Sequence, residues 1–335
     1  MNKLVSRSLR CLSIISVLIA MPALAQLTPE EQAAKERGIV LYHQYKAISA
    51  EPYLTIAAKA GDAESQFFLA EALRKNNRYM TKEAYQWLEA AAQQGDSHAM
   101  IRLGRSDGGL CAAMGNCPEG AKTNEDWLVA AYDLNKVRAE QGDSEAMYLM
   151  FRLTHEFSWL ERGAEAGDPL SQFWWADFIS GGKGFYLWPG SREEAVEKWY
   201  KASAEGGYPL SMAKYALIRL NKGDDEGYRR WTKTAAETGY AEAVYNYGAG
   251  MAVMPDEYGY EKDLVAGYGL LTLLLELDGG GYANKELVET ELPAIAEKMT
   301  PEQLEQAKAF AEEWKATHPP LSFYQQKLHP LDNLF

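Results

Sequence analysis

Few residues in this 335-residue chain have the types and spacing that catalysis requires. Ser211 and Lys214 form a Ser-x-x-Lys tetrapeptide, the spacing of the nucleophile and lysine in penicillin-recognising enzymes. The Ser-Asp-Asn and Lys-Thr-Gly motifs that complete such a site are missing from the sequence. His155 and Glu156 match the start of a zinc-protease helix, but no second histidine follows at the required spacing. We therefore predict that the chain is not an enzyme and binds no metal or cofactor.

Two cysteines, Cys111 and Cys117, lie in a glycine-rich insertion from about Gly104 to Thr123. In an oxidising compartment a disulfide between them would close a short loop and stabilise it by about 2 kcal/mol. A metal site is the alternative, but no histidine or second cysteine pair lies nearby in the sequence. The sequence therefore favours a disulfide.

Residues 1–25 have the pattern of a secretory signal peptide. Lys3, Arg7 and Arg10 supply the positive region. The apolar run that follows, residues 11–20, is too short to span a bilayer comfortably. A small-x-small cleavage site then ends at Ala25. We expect export to the periplasm, cleavage after Ala25 and no stable membrane insertion afterwards. The alternative is an anchor that stays uncleaved.

The net charge of the chain is −13 at pH 7. Such an acidic balance argues against nucleic acid as a partner, because phosphates would be repelled. The charge fits a solvated surface, or a face that meets a basic protein.

Apart from these groups, the sequence is organised by one repeated pattern, best seen in residues 81–96. Thr81 can cap a helix, and Ala84 and Leu88 fall on one apolar face of it. Gly95 suits the left-handed position that ends a helix, because glycine has no Cβ to clash there. The aspartate that follows can cap the next helix.

The same helix end recurs along the chain. A large aromatic residue stands eight positions before five of six such glycines, and a pair of small residues stands four and three positions before five of them. The glycines are Gly61, Gly95, Gly142, Gly167, Gly207 and Gly239, with a looser copy near Gly279. Two helices cannot bury the apolar face of such a unit alone, so neighbouring units must stack into a solenoid.

The helix after each glycine carries a column of small residues that lets two helices approach closely. The column is Ala70, Gly104, Ala176, Ala216 and Gly248. A small pair, a Gly-Asp helix end and a Trp eight residues earlier together resemble the Sel1-like repeat family, over residues 50–280. The resemblance implies an all-α fold, a right-handed α/α solenoid of TPR-like helix-turn-helix repeats that binds other proteins.

Four segments are expected along the chain. They are the signal peptide (1–25), an N-terminal capping helix (26–50), the repeat array (51–281), and C-terminal capping helices with a tail (282–335). Thr300, Pro301 and Gln303 predict the start of the last capping helix, through a threonine cap, proline at the first position and a capping box. The tail that follows has no periodicity.

A column of varied residues is the first candidate binding site. It lies in the helix that follows each recurring glycine and changes character from copy to copy, unlike the small column. Its members are Phe68, Arg102, Leu149, Trp174, Lys214 and Asn246. We expect this column to be exposed on the concave wall and to contact a partner. The alternative is that exposed positions vary without a role.

Two aromatic loops are the second candidate. One loop places Phe185, Tyr186 and Trp188 between glycines. The other contributes Asp256, Glu257 and Tyr258. Aromatic side chains on a surface loop are costly to leave in water, so they either fold back onto the helices or contact a partner.

An exported, acidic, Sel1-like solenoid without a catalytic set also resembles the immunity proteins that Gram-negative bacteria pair with type VI secretion phospholipase effectors. The resemblance implies a secreted, phospholipase D-type effector as partner, held inactive in the periplasm. An acidic surface is complementary to the Lys and His that such an enzyme presents to a phosphodiester. The alternative is a cell-envelope scaffold or regulator that binds endogenous envelope proteins, and a weaker one is a β-lactam-binding enzyme.

Overall fold

The computed structural model of the chain describes residues 27–106, 122–277 and 285–329. Three predictions lie outside these residues: the signal peptide, the disulfide between Cys111 and Cys117, and the repeat copy near Gly279. Within them the chain is helical, and its β-structure is a single isolated bridge.

Seventeen helices follow one another in the described ranges. They are α1 (Pro29–His43), α2 (Ala47–Lys59), α3 (Ala63–Asn77), α4 (Lys82–Gln93), α5 (Ser97–Gly104), α6 (Asn124–Glu140), α7 (Ser144–Thr154), α8 (Phe157–Glu165), α9 (Pro169–Ser180), α10 (Ser191–Glu205), α11 (Pro209–Asn221), α12 (Asp225–Glu237), α13 (Ala241–Ala252), α14 (Pro255–Tyr258), α15 (Leu264–Leu274), α16 (Lys285–Ala296) and α17 (Pro301–Thr317).

Helix packing follows chain order. From α2 to α12, each helix packs mainly against the helix before it and the helix after it. Beyond α13 the order changes: α15 packs against α13, α16 and α17, while the short α14 contacts α13. Contacts confined to neighbours in sequence are the packing of a solenoid. The all-α solenoid expected from the sequence is therefore confirmed.

The recurring glycines end helices as the sequence predicts. All six have positive φ, between +81° at Gly239 and +97° at Gly61. After Gly95, the amide of Asp96 donates to the carbonyl of Ala91 at 3.1 Å, which closes the helix end. The Asp96 carboxylate then accepts from the amide of Ala99 at 2.8 Å and caps α5. Asp62, Asp143 and Asp168 cap their helices in the same way.

The core runs along the array between successive helices. Leu54, Leu88 and Leu160, each seven residues before a recurring glycine, are fully buried. The large aromatics one position earlier lie at the edge of this core, half-buried. They are Trp87, Trp159, Trp199 and Trp231.

The first and last helices both begin with a capping box, which the sequence predicts at Thr300. Thr28 and Glu31 form a capping box at α1, and Thr300 and Gln303 form one at α17. The entry to the array is different from the prediction. Helix α2 begins four residues before residue 51 and contains Pro52 in its interior. Residues 26–50 are therefore not a single capping helix, because they also contain the first turn of α2.

Within the described ranges, no helix combines the length and apolarity needed to cross a membrane. The same ranges contain no cluster of three or more His, Cys, Asp or Glu side chains suited to a metal ion.

Candidate binding surfaces

Residues 319–329, which we call the carboxy-terminal segment, leave α17 and run along the array without forming a helix. Ser322 joins Gly239 and Ala241 through two backbone hydrogen bonds: its amide donates to the Gly239 carbonyl at 2.9 Å, and its carbonyl accepts from the Ala241 amide at 3.0 Å. A Cβ on Gly239 would lie 2.6 Å from the Pro320 carbonyl oxygen. Glycine at 239 thus serves the close approach of this segment as well as the helix end.

The same segment also contacts the first helices of the array. The amide of Phe323 donates to the His43 carbonyl at 3.1 Å, and its ring lies 4.9 Å from that of Tyr45. The Gln44 side chain donates to the Leu321 carbonyl at 2.9 Å. Ser322 and Phe323, which are adjacent, therefore contact α13 and α1, so the array must curve around the segment.

Further along, the segment crosses the second helices of successive units. The Gln326 side chain accepts from Trp174 Nε1 at 2.9 Å and donates to the Tyr208 hydroxyl at 2.8 Å. The Tyr148 hydroxyl donates to the Leu328 carbonyl at 3.0 Å. We call the surface that α3, α5, α7 and α9 present to this segment, together with Tyr208, the channel.

The channel binds one charged side chain of the segment closely. Lys327 Nζ lies 3.1 Å from Glu64 Oε1 and 5.4 Å from the ring centre of Phe68. Arg102 donates to the Lys327 carbonyl at 3.2 Å and itself lies 3.1 Å from Glu71. Acidic and aromatic groups therefore surround a cation within the channel.

A solvent-open groove of about 270 Å³ lies between the segment and the channel wall. His43 and His98 line it together with Tyr208. Burial, followed by the charge of Lys75, lowers the pKa of His43 to about 4. Burial, followed by the charge of Lys327, lowers the pKa of His98 to about 4. Both imidazoles are therefore neutral near pH 7.

Part of the varied column contacts this segment instead of solvent. Phe68, Leu149 and Trp174 are only 2%, 1% and 5% exposed. The expectation that the whole column is exposed is wrong for these three, because the carboxy-terminal segment and neighbouring helices cover them. Lys214 is exposed and Asn246 is half-buried. Contact between any of these residues and a partner stays a prediction.

The loop between α9 and α10 does remain in solvent. Phe185 is 86% exposed and Trp188 is 77% exposed. Tyr186 differs, since it packs beneath the Arg192 guanidinium at 4.8 Å and is half-buried. Of the two alternatives drawn from the sequence, folding back applies to Tyr186 alone.

In the α14 region, too, some side chains are exposed and others are packed. Asp256 and Glu257 are exposed, whereas Tyr258 packs on Tyr228 with ring centres 5.2 Å apart. The Tyr258 carbonyl accepts from Arg229 at 2.8 Å. The two acidic residues therefore stand at the surface of a loop that is fixed from below.

The Ser-x-x-Lys tetrapeptide has the environment of a structural element. Ser211 is fully buried and its hydroxyl donates to Ser203 at 2.6 Å, whereas Lys214 is exposed. A nucleophile must be reachable by its substrate. This geometry gives no support to acyl transfer at Ser211.

Sequence reasoning missed the carboxy-terminal segment as part of a binding surface. Its residues have no periodicity, so nothing in the local pattern placed them in the channel. The one available signal was the varied column, whose Phe, Arg and Trp side chains are those that contact the segment.

No family model matches this chain, and no curated protein matches it. Among the solved structures that are similar to it are the following two. One is a protective antigen present in uropathogenic Escherichia coli strains that displays an SLR fold; it is 20% identical, with a TM-score of 0.46 over 87% of this chain and 62% of that one. The other is a Sel1 repeat protein from Oxalobacter formigenes, 22% identical, with a TM-score of 0.36 over 68% of this chain and 93% of that one.

This chain thus spans 62% of the length of the first of these structures. The helix ends and the packing described above define an α/α solenoid on their own.

Proposed function

We propose that this chain is a protein-binding solenoid that acts in the periplasm and holds a secreted phospholipase effector of type VI secretion inactive. The observation that carries protein binding is the loop between α9 and α10. Phe185 and Trp188 are large, apolar and almost fully exposed there, and such residues are enriched at the centres of protein interfaces.

The acidic charge supports the choice of partner. With a net charge of −13, the chain attracts basic surfaces such as the active site of a phosphodiesterase. Asp256 and Glu257 add exposed negative charge on a fixed loop. Electrostatic attraction of this kind speeds association and helps to select the partner.

The test is protection of living cells. The neighbouring genes are first searched for a phospholipase. Bacteria that express any such enzyme in the periplasm then receive either the full chain or the chain without residues 1–25. We expect survival with the full chain and killing with the shortened one, because toxin and inhibitor must share a compartment.

A matched pair of full-length variants makes the test specific to the surface. Phe185→Ser with Trp188→Ser should lose protection, whereas Val129→Ser, at an exposed apolar site on α6, should keep it. If the exported wild-type protein neither binds nor protects against the neighbouring phospholipase, the immunity proposal is wrong. The envelope-scaffold alternative then takes its place, and a neighbouring cell-envelope operon would agree with it.

A further inference from the structure

We propose that the channel is a binding site for an extended, lysine-bearing peptide segment of a partner protein, and that the carboxy-terminal segment occupies this site as an intramolecular competitor. The inference rests on the protein-binding part of the proposed function. It does not depend on the partner being a phospholipase.

Recognition of the peptide backbone is the first argument. Side chains from two successive second helices, α5 and α7, donate to successive carbonyls of the segment: Arg102 to residue 327 at 3.2 Å, Tyr148 to residue 328 at 3.0 Å, and Arg152 to residue 329 at 2.7 Å. Every peptide has these carbonyls. Donors spaced along a solenoid can therefore hold an extended chain, whatever its side chains, in the way that strand-binding and groove-binding domains do.

The lysine subsite is the second argument. Glu64 supplies a carboxylate 3.1 Å from Lys327 Nζ, and the rings of Phe67 and Phe68 lie 5.7 and 5.4 Å from it. A carboxylate beside two aromatic faces favours an ammonium group over neutral or acidic side chains. The subsite therefore gives the channel a preference for lysine at one position.

Neighbouring subsites extend this preference. Both ends of the Gln326 side-chain amide are bound: its oxygen accepts from Trp174 Nε1, and its nitrogen donates to the Tyr208 hydroxyl. Leu328 is buried on the other side of the lysine. The channel is thus complementary to the order amide, lysine, aliphatic residue.

A solvent-open groove beside the segment leaves space that the segment does not fill. It holds about 270 Å³ between Leu170, Tyr208 and the segment. Hydrogen bonds and an ion pair hold residues 326–329, and Leu328 packs in the hydrophobic core. A partner with the same backbone, a lysine and an aliphatic residue would make the same contacts. The groove leaves room for larger side chains than those of the segment.

Competition within the chain has a measurable consequence. A tethered segment acts at an effective concentration on the order of millimolar, so a free peptide at micromolar concentration is excluded while the segment stays bound. The apparent affinity of the channel is then reduced by the small fraction of molecules in which it is open. Loosening the segment must raise the affinity for added peptide.

The experiment uses the full-length protein and a fluorescent peptide with the sequence of residues 319–329, followed by anisotropy. Lys327→Glu in the protein places a second negative charge beside Glu64 and should release the segment. We expect this variant to bind the peptide at least about tenfold more tightly than the wild type does. A peptide with glutamate in place of the lysine should not bind. Lys308→Glu is the matched control, because Lys308 lies outside the channel and pairs with exposed Glu305. The peptide affinity of this variant should equal that of the wild type.

A milder variant covers the case in which Lys327→Glu fails to fold, which circular dichroism reports. Gln326→Ala removes the two hydrogen bonds to Trp174 and Tyr208 and should also raise peptide affinity. If neither variant, folded, binds the peptide more tightly than the wild type, the inference is overturned. It is equally overturned if the glutamate peptide binds as well as the lysine peptide.

The two proposals fail separately. Cell protection with no peptide binding would place the effector outside the channel and reject the peptide site. Peptide binding with no cell protection would reject only the immunity role.

Discussion

Asn135 Nδ2 donates a hydrogen bond to Ser97 Oγ at 2.9 Å, and both side chains lie inside the core between α5 and α6. Asn135 occupies the position, seven residues before a recurring glycine, at which Leu88 and Leu160 are buried in other units. A buried amide is tolerated there because its donor is shared between Ser97 and the Ala131 carbonyl.

The first prediction follows from this pair. Asn135→Ala should destabilise the protein by about 1–3 kcal/mol, because the Ser97 hydroxyl loses its partner in a dry site and a cavity remains. The double variant Ser97→Ala with Asn135→Leu should recover much of that loss, since no polar group is then left unpaired. Urea unfolding of the single and double variants measures both effects. Equal stability of Asn135→Ala and wild type would show that the hydrogen bond contributes nothing.

A second prediction tests the glycine helix ends. Gly95 has φ of +94° and no atom within 4 Å of a built Cβ, so any cost of Gly95→Ala comes from backbone conformation alone. We expect a loss of about 1–2 kcal/mol. Gly181→Ala is the matched control, because Gly181 has φ of −75° and also has room for a Cβ. Thermal unfolding should show a lower midpoint for Gly95→Ala and no loss for Gly181→Ala. The same midpoint for both variants would show that the left-handed conformation at residue 95 does not require glycine.

These glycines show why much of the fold can be predicted from the sequence. A left-handed helix end and an aspartate cap are local features, so Gly95 and Asp96 reveal them within a few residues. The same holds for the capping box at Thr300. The stacking of units then follows, because two helices alone cannot bury their apolar face.

The channel could not be predicted, because it depends on contacts between residues far apart in the sequence. Lys327 and Glu64 stand near opposite ends of the chain, and no local pattern connects them. The varied column led to an expectation of exposure, since only the structure shows that residues 319–329 cover Phe68 and Trp174.

The third prediction concerns pH. Histidines of the unfolded chain take up protons below their ordinary pKa of 6.5, but the partly buried His43 and His98 do so only near pH 4, because burial lowers their pKa. The unfolded state therefore binds more protons between about pH 6.5 and pH 4, so stability falls as pH falls through this window. The partly buried Asp96 and Asp168, whose pKa values burial raises, oppose this loss at its acidic end.

Unfolding at pH 7 and at pH 5 measures the effect. We expect a loss of roughly 1–2 kcal/mol for each of the two histidines on going to pH 5. The glutamine in His98→Gln takes up no proton, so this variant should lose less stability than the wild type between pH 7 and pH 5. A variant with the same pH dependence as the wild type would exclude His98 as a source of the acid sensitivity.

The fourth prediction is the disulfide between Cys111 and Cys117, which lie outside the described residues. Protein purified from the periplasm without reductant should show no free thiol after denaturation and alkylation, and two after reduction. The same protein retained in the cytoplasm without residues 1–25 provides the control, since that compartment keeps thiols reduced. Two alkylated cysteines in the unreduced periplasmic protein would contradict the prediction.

The last prediction separates partner contact from folding at the aromatic side chains. Phe185 and Trp188 are exposed, so Phe185→Ser with Trp188→Ser should change the free energy of unfolding by no more than about 0.5 kcal/mol for each site. If the loop anchors the partner, the same change should weaken the complex by about 2 kcal/mol or more. Trp174→Ala is the contrasting variant: this ring is buried and hydrogen-bonded to Gln326, so its removal should cost about 3 kcal/mol or more of stability. Calorimetric titration with the partner and urea unfolding give the two quantities. Unchanged affinity in the serine variant would mean that the loop does not contact the partner, and unchanged stability in Trp174→Ala would mean that the ring is not core.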